Sequence, residues 1–277
     1  IMENQLVSRF VKGLGLKRHV VGVNFLAYRE EFEKYDAPAA TIRRSICGFA
    51  NMAMNGECVK FRAEDVGCSG GSYAVGLREE PERTKSGRIY EHCGLYSSHA
   101  VARNVNESMT HIPDRSYGIA MAPLEMMADA DVVIILCTAK QAMRIIQGYT
   151  YIYGCAKQLS TVGNQAMCSD MCAKPFMNND LNITFMCCGA RINTKCDDGE
   201  MAIGIPIQKF KPVAEGVLST LNVTEPVQFK RNLLERLDTP DELGFDIDMT
   251  ASYGKNAAAY QTECMRMEQN EVKTKTL

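Results

Sequence analysis

Apolar positions recur at two periods along the chain, and the switches between them predict most of its elements. Leu6, Phe10 and Val11 share one side of a helix over 3–13. HVVGVNFLA at 19–27 is β-rich and nearly continuous, as a buried strand is. Residues 41–55 carry helical spacing that stops at Asn55-Gly56, and CVKF at 58–61 reads as a short strand. SYGIAMAPL (116–124) and DVVIILC (131–137) predict two further strands. KQAMRIIQGYTYIYG (140–154) puts Ala142, Ile145, Ile146 and Tyr149 on one helix face and ends at Gly154. NITFMC (182–187) alternates like a strand. MAIGIPI (201–207) is an apolar run that Pro206 ends or confines to an edge, and a helix follows over 212–221. Residues 78–115 are polar and turn-rich, with Pro81, Gly87 and Pro113, and predict an excursion over the surface.

Strands interleaved with helices, undivided by any low-complexity linker, imply an α/β or α+β chain in a single compact domain. Past about residue 224 the chain becomes charged, with NLLERL as one helical patch and MEQNEVKTKTL as an expected mobile end. The expected organisation is a core over 1–224 and a charged C-terminal extension over 225–277.

Two segments of the core resemble each other. RRSICGFANMAMNGECVKFRAEDVGCSGG spans 43–71 and GNQAMCSDMCAKPFMNNDLNITFMCCGA spans 163–190. Each has a cysteine opening a helical pattern, then a breaker (Asn55-Gly56 or Pro175), then an extended stretch, then Cys-x-Gly. Cys47 and Cys68 are 21 residues apart, Cys168 and Cys187 are 19 apart, and a valine-rich strand precedes each segment. The pattern predicts two diverged strand–helix–strand units, about 19–71 and 131–190, related by a pseudo-two-fold axis. Such an axis brings Cys47, Cys68, Cys168 and Cys187 towards one centre.

Composition narrows the chemistry. The 277 residues are 46% hydrophobic and 23% charged with a net charge of −2, so no basic or acidic block argues for nucleic acid or an anionic membrane. The longest strongly apolar run, DVVIILC, is too short to cross a bilayer, and the first residues lack the apolar stretch of a secretory signal. The expectation is a cytoplasmic protein in which the sequons at Asn106, Asn182 and Asn222 are chance. Twelve cysteines in a chain this long suit reduced thiols in an intracellular, anaerobic setting rather than a disulfide scaffold.

A thiol at a helix start is expected to have a depressed pKa, and the thiolate is the species that binds metal. Gly70 and Gly189, two residues beyond Cys68 and Cys187, allow backbone N–H groups near sulfur. Arg43, Arg44 and Arg191 would add positive charge beside such a site. Against this stands the plainer reading of buried cysteine as a small apolar residue. If 182–188 is a strand, Cys187 and Cys188 point opposite ways, and Cys-x-Gly selects Cys187. Cys58, Cys93, Cys137, Cys155, Cys172, Cys196 and Cys264 read as packing or surface residues, with Cys172 the leading exception.

The motifs also have a fixed order. Cys47 with Ala53 and Gly56 is followed by CSGGSYAVGL, APL at 122–124, DADVVIILCTAKQAMRIIQGYTY, Cys168 with AKP, CCGAR, and GEMAIGIP. Over about 15–222 this series resembles the family catalogued as domain of unknown function 169, common in anaerobic bacteria and archaea. The resemblance implies a site on Cys47, Cys68, Cys168, Cys187 and Arg191, with an acidic residue at Glu200, but no reaction. Cys172 and Cys188 depart from the family pattern and leave the fourth ligand open.

Structural zinc sites use close Cys-x2–4-Cys pairs, of which CSDMC is the nearest here, with no second knuckle. Four dispersed thiols suit a [4Fe–4S] cluster better, with zinc or no metal as alternatives. His19, His92, His99 and His111 show no zinc-enzyme spacing, and phosphate-loop, dinucleotide and nucleophile-elbow motifs are absent. Three readings stay open. One is an iron–sulfur redox protein, either a reductase of a small anionic substrate or an electron carrier for a redox partner protein. The second is a metal-free thiol enzyme acting through Cys47 or Cys168. The third is a non-catalytic binding protein with structural cysteines. Arg191 and Glu200 are the candidate catalytic residues, with Arg191 expected to point into the cysteine cavity. An oligomer is compatible with all three.

Overall fold

Six strands hydrogen-bond into one antiparallel sheet with helices packed on both faces, in a computed structural model that describes residues 4–113, 116–221, 234, 235, 237 and 238. The strands are β1 (Val21–Leu26), β2 (Val59–Phe61), β3 (Gly118–Pro123), β4 (Val132–Thr138), β5 (Asn182–Thr184) and β6 (Glu200–Pro206). Their order is β2-β3-β1-β4-β6-β5. Read from either edge, a three-residue strand comes first, then a strand that ends in proline, then one of the two valine-rich strands that meet at the centre.

The register repeats as well. About the central pair Gly22–Val133, Val21 lies opposite Ile134 and Val23 opposite Val132. Val21 faces Pro123 in β3 as Val132 faces Pro206 in β6. Val59 faces Met121 as Asn182 faces Gly204. Just outside the strands, the Leu124 N–H donates to Val20 O at 2.8 Å as the Ile207 N–H donates to Asp131 O at 2.9 Å. The correspondence is one of order, direction and register.

Alternate residues of each strand face opposite layers. On one face Val20, Val133, Ile135, Ile203 and Ile205 pack under α1 (Asn4–Leu14), α8 (Ala139–Tyr153) and α11 (Ile207–Thr220). There Gly148 and Gly216 let two helices touch backbone to backbone, since a Cβ on Gly148 would lie 2.6 Å from the Val217 nitrogen. On the other face Val21, Val23, Ile119, Met121, Val132 and Ile134 pack under α3 (Ile46–Met54), α4 (Ser69–Ala74), a π-helix over Ala166–Ala173 and α10 (Cys188–Thr194). Every segment bearing a cysteine of the predicted quartet lies on this second face. Short helices α2 (Arg29–Lys34) and α9 (Lys174–Asn178) complete the connections.

Two sequence expectations need correction, and two gain detail. The surface excursion expected over 78–115 contains three short helices, α5 (Glu82–Lys85), α6 (Arg88–His92) and α7 (His99–Ser108), and its described residues are mostly exposed or half-buried. Its turn residues start those helices, with Pro81 and Gly87 at the N-caps of α5 and α6 and the Ser98 Oγ accepting from the Val101 N–H at the start of α7. The strand expected over 182–187 stops at Thr184, because Met186 turns the chain at φ +72°. The run 201–207 ends at Pro206, the first of the two alternatives expected, and β6 lies between β4 and β5. The last helix begins at Ile207, five residues earlier than the pattern placed it, with Pro212 inside it.

Most of 225–277, including Cys264 and MEQNEVKTKTL, lies outside the described residues, as does Asn222. Leu237 is buried in the core, and the Asp238 carboxylate accepts from Arg9 on α1 at 2.6 and 2.9 Å. Asn106 and Asn182 are both buried and hydrogen-bonded, so the fold leaves neither amide accessible to a modifying group. No helix among the described residues is long and apolar enough to cross a membrane.

Candidate functional site

Each half of the sheet sends two cysteines to one place. In the first half, 43–45 and 65–67 run side by side. Arg44 N–H donates to Asp65 O at 3.0 Å, and Gly67 N–H donates to Arg44 O at 2.8 Å. This bridge starts two helices together. Ser45 Oγ caps α3 by accepting from the Gly48 N–H at 3.1 Å, which sets Cys47 in the first turn. Cys68 is itself the N-cap of α4, its Sγ accepting from the Gly71 N–H at 3.4 Å.

In the second half the same places are reached by less regular backbone. Gln165 enters the π-helix at φ +49°, and Cys168 lies in its first turn. A π-helix is wide and uncommon, and it is retained where neighbours enforce it. Gly204 of β6 is one such neighbour, because a Cβ there would stand 2.6 Å from Met171 O and 2.8 Å from Pro175 Cγ. Beneath the π-helix, Asn182 joins Ser160 and Asp170, donating to their carbonyls at 3.0 and 3.1 Å. Thr184 Oγ1 accepts from the Met186 N–H at 3.3 Å as the chain turns into α10. Cys187 is the N-cap of α10 and Cys188 its first residue, so the opposite-face argument drawn from a strand does not apply. All four predicted thiols therefore sit at helix starts, where the sequence distinguished two helix starts from two glycine turns.

Cys47, Cys68, Cys168 and Cys187 line a single cavity of about 410 Å³, joined by Cys188. Cys172 is fully buried in the core and does not line it. Among the described residues, no three Cys, His, Asp or Glu side chains are gathered as the ligands of one metal ion. The expected depression of thiol pKa is reversed. Burial, and then the charges of Cys187 and Cys68, push Cys47 up to about 12. Cys168 is raised well above its ordinary value by burial and then by Cys47, Cys68 and Cys187. Desolvation and mutual repulsion outweigh the helix-start effect because several like charges would be confined in one place. The four thiols thus lie within electrostatic reach of one another.

Part of the wall comes from the segment expected to run over the surface. Thr84, Ile89, Tyr90 and Leu95 line the cavity with the thiols, as do Gly163, Asn164 and Gln165. Gln165 is buried and its Nε2 contacts the hydroxyls of Tyr73 and, at 2.7 Å, Tyr90. Tyr73 donates in turn to Asn106 Oδ1 at 3.3 Å, and Asn106 Nδ2 donates to Glu80 at 2.6 Å. This chain of polar contacts fastens the helical segment to the mouth of the π-helix. Spacing gave no sign of it; the only clue was three tyrosines in or beside a segment otherwise read as surface.

The arginines do not line the cavity. Arg191 Nη2 donates to Phe185 O at 3.0 Å and Nη1 to Asp197 O at 3.3 Å, bracing the loop on either side of α10. Arg43 donates to Val66 O at 3.2 Å, and Arg44 is exposed. Glu200, nearly buried, accepts from the Asp197 N–H at 2.8 Å and pairs with Arg18 at 3.5 Å. Arg18 also donates to Thr194 O at 2.7 Å and Lys195 O at 2.8 Å. Arg191 and Glu200 thus hold the segment that presents Cys187, from outside the cavity. The glycines of Cys-x-Gly do line it. A Cβ on Gly189 would meet nothing within 4 Å, and one on Gly70 would come 3.9 Å from the Tyr90 hydroxyl.

A family model described as uncharacterised ArCR, domain of unknown function 169, matches residues 9–216. That is most of the chain, and the chain belongs to this family. No curated protein and no solved structure is similar enough to match.

Proposed function

We propose that this member of the ArCR family holds a [4Fe–4S] cluster on Cys47, Cys68, Cys168 and Cys187 and acts as a redox protein. The observation that carries the reading is the gathering of four thiols, two from each half of the sheet, around one cavity. Thiols so placed repel one another as thiolates, and a cationic iron core removes that repulsion. The CSDMC pair argues against a zinc knuckle, since Cys172 faces the core rather than the cavity. Raised pKa values at Cys47 and Cys168 argue against either as an unaided nucleophile.

A bound cluster would supply one electron at a time, to a small molecule in the cavity or to a partner protein at its mouth. The chain's own residues do the rest. The Gly71 N–H donates to Cys68 Sγ, the bridge between 43–45 and 65–67 fixes two ligands together, and Arg191 and Glu200 hold the third segment. Tyr90 and Leu95 complete the lining of the cavity. The test is anaerobic purification or reconstitution with iron and sulfide, followed by iron, sulfide and zinc analysis. Four iron and four sulfide per chain, with absorbance near roughly 400 nm, is the expected result. Zinc without sulfide replaces the cluster by an ion, and protein free of both leaves the thiols as packing residues.

A further inference from the structure

The cavity has a property that bears on what enters it: no Asp, Glu, Lys, Arg or His is among its lining residues. The wall is made of thiols, glycines, Ser45, Ser69, Thr84, Tyr90, Asn164, Gln165 and Asn193, with Ile89, Leu95 and two alanines between them. Of the arginines near it in sequence, Arg43 and Arg191 donate to backbone carbonyls, and Arg44 and Arg88 are exposed. An anion here would be desolvated with no opposing charge and would face the thiols, a cost that hydrogen bonds to hydroxyls and amides do not offset.

Two buried amides point to a polar but neutral guest. Gln165 is 6% exposed and lines the cavity, and its Oε1 makes no hydrogen bond of proper geometry, although the amide lies near enough to His111 to favour the charged imidazole. Asn164 Nδ2 is likewise buried without a bond of proper geometry, although the amide lies near enough to Tyr90 and Tyr96 to favour their ionised forms. The Tyr90 hydroxyl stands between them, and Gly70 keeps the space before it clear. At about 410 Å³ the cavity is the size of small-ligand sites.

We infer that the cavity takes a small uncharged molecule carrying both a hydrogen-bond donor and an acceptor, bound at the Tyr90 hydroxyl and the amides of Asn164 and Gln165. The inference rests on the same cavity as the cluster reading, and it replaces the anionic substrate that the nearby arginines suggested in sequence.

The probes are benzamide, benzoate and benzamidine, one shape in three charge states. Binding is read by saturation-transfer NMR on the reduced protein, metal-free and cluster-loaded, with iron and sulfide measured on the same samples. Benzamide should bind both forms, with benzoate and benzamidine each weaker by about tenfold or more. Tyr90→Phe should weaken benzamide by about tenfold. Gly189→Leu, at a position with open space before it, should abolish binding while circular dichroism stays unchanged. Gly70→Ala, which meets only ordinary contacts, should weaken binding and serves if the leucine variant misfolds. Benzoate or benzamidine binding as tightly as benzamide, no binding by any probe, or an unchanged Tyr90→Phe affinity each overturns the inference. Benzamide bound to protein that takes up no iron and sulfide leaves the inference standing and removes the cluster. Iron and sulfide present with benzoate preferred does the reverse.

Discussion

The two halves of the sheet share a register but build their thiol-bearing helices differently. In the first, Cys47 rides an ordinary α-helix capped by Ser45. In the second, Cys168 rides a π-helix entered through a left-handed glutamine, without a side-chain cap. Opposite the short edge strands, the first half has Met121 where the second has Gly204. Methionine fills its place with its own side chain. Glycine leaves the place to the backbone of the π-helix, which lies against it. A local helix signal sufficed in one half, and in the other a glycine in the neighbouring strand made room for an unusual helix.

The largest expected effect concerns the supply of thiols, since the first half brings two to the cavity and the second brings three. Cys68→Ser should abolish cluster assembly, as the other thiol of its half that lines the cavity, Cys47, is already one of the four proposed ligands. Cys187→Ser should retain part of the iron because Cys188 stands beside it, and Cys187→Ser with Cys188→Ser should lose it all. Iron content per chain after anaerobic reconstitution decides the matter, and equal loss in Cys68→Ser and Cys187→Ser would remove the asymmetry.

Next come the matched positions in β3 and β6. Gly204→Ala should destabilise by roughly 1–3 kcal/mol through overpacking. Met121→Ala should cost roughly 2–5 kcal/mol through the cavity it leaves. Denaturant midpoints measure both, and iron binding separates them. Gly204→Ala should impair iron binding by moving Cys168, whereas Met121→Ala, whatever its larger cost, should leave the thiols in place. Impaired binding in Met121→Ala alone would break this account of the halves.

A smaller effect is expected at the α3 cap. Ser45→Ala should lower stability by about 1 kcal/mol, read from urea unfolding.

The smallest expected effect contrasts Val20 with Asp131, which stand just before β1 and β4 and play the same backbone role. Burial raises the Asp131 carboxyl, against the hydrogen bond it accepts from the Phe25 N–H at 2.8 Å. Its folded pKa therefore lies above its unfolded value of about 3.9. The associated stability is present below that unfolded value and is lost as pH rises through the folded one. Asp131→Asn should flatten that part of the pH–stability curve, and an unchanged slope would remove Asp131 as its source.

The sequence by itself determined the main strands, the long helices, the alternation that assigns each strand residue to a layer, and the four cysteines with their repeated spacing. These rest on local period and on turn residues, which act between near neighbours in the chain. It did not show that the excursion over 78–115 is helical, because Pro81, Gly87 and Ser98 are helix starts as readily as loop residues, and only packing against Gln165 and Tyr73 selects between them. It also gave Arg191 a place in the cavity, since charge is visible in sequence whereas the carbonyls that engage it are not. What only the tertiary structure decided is the environment of the thiols. A helix start favours thiolate locally, but whether a thiol ionises depends on how much water and how many other thiols surround it. Both are set by strands and helices that meet from opposite halves of the chain.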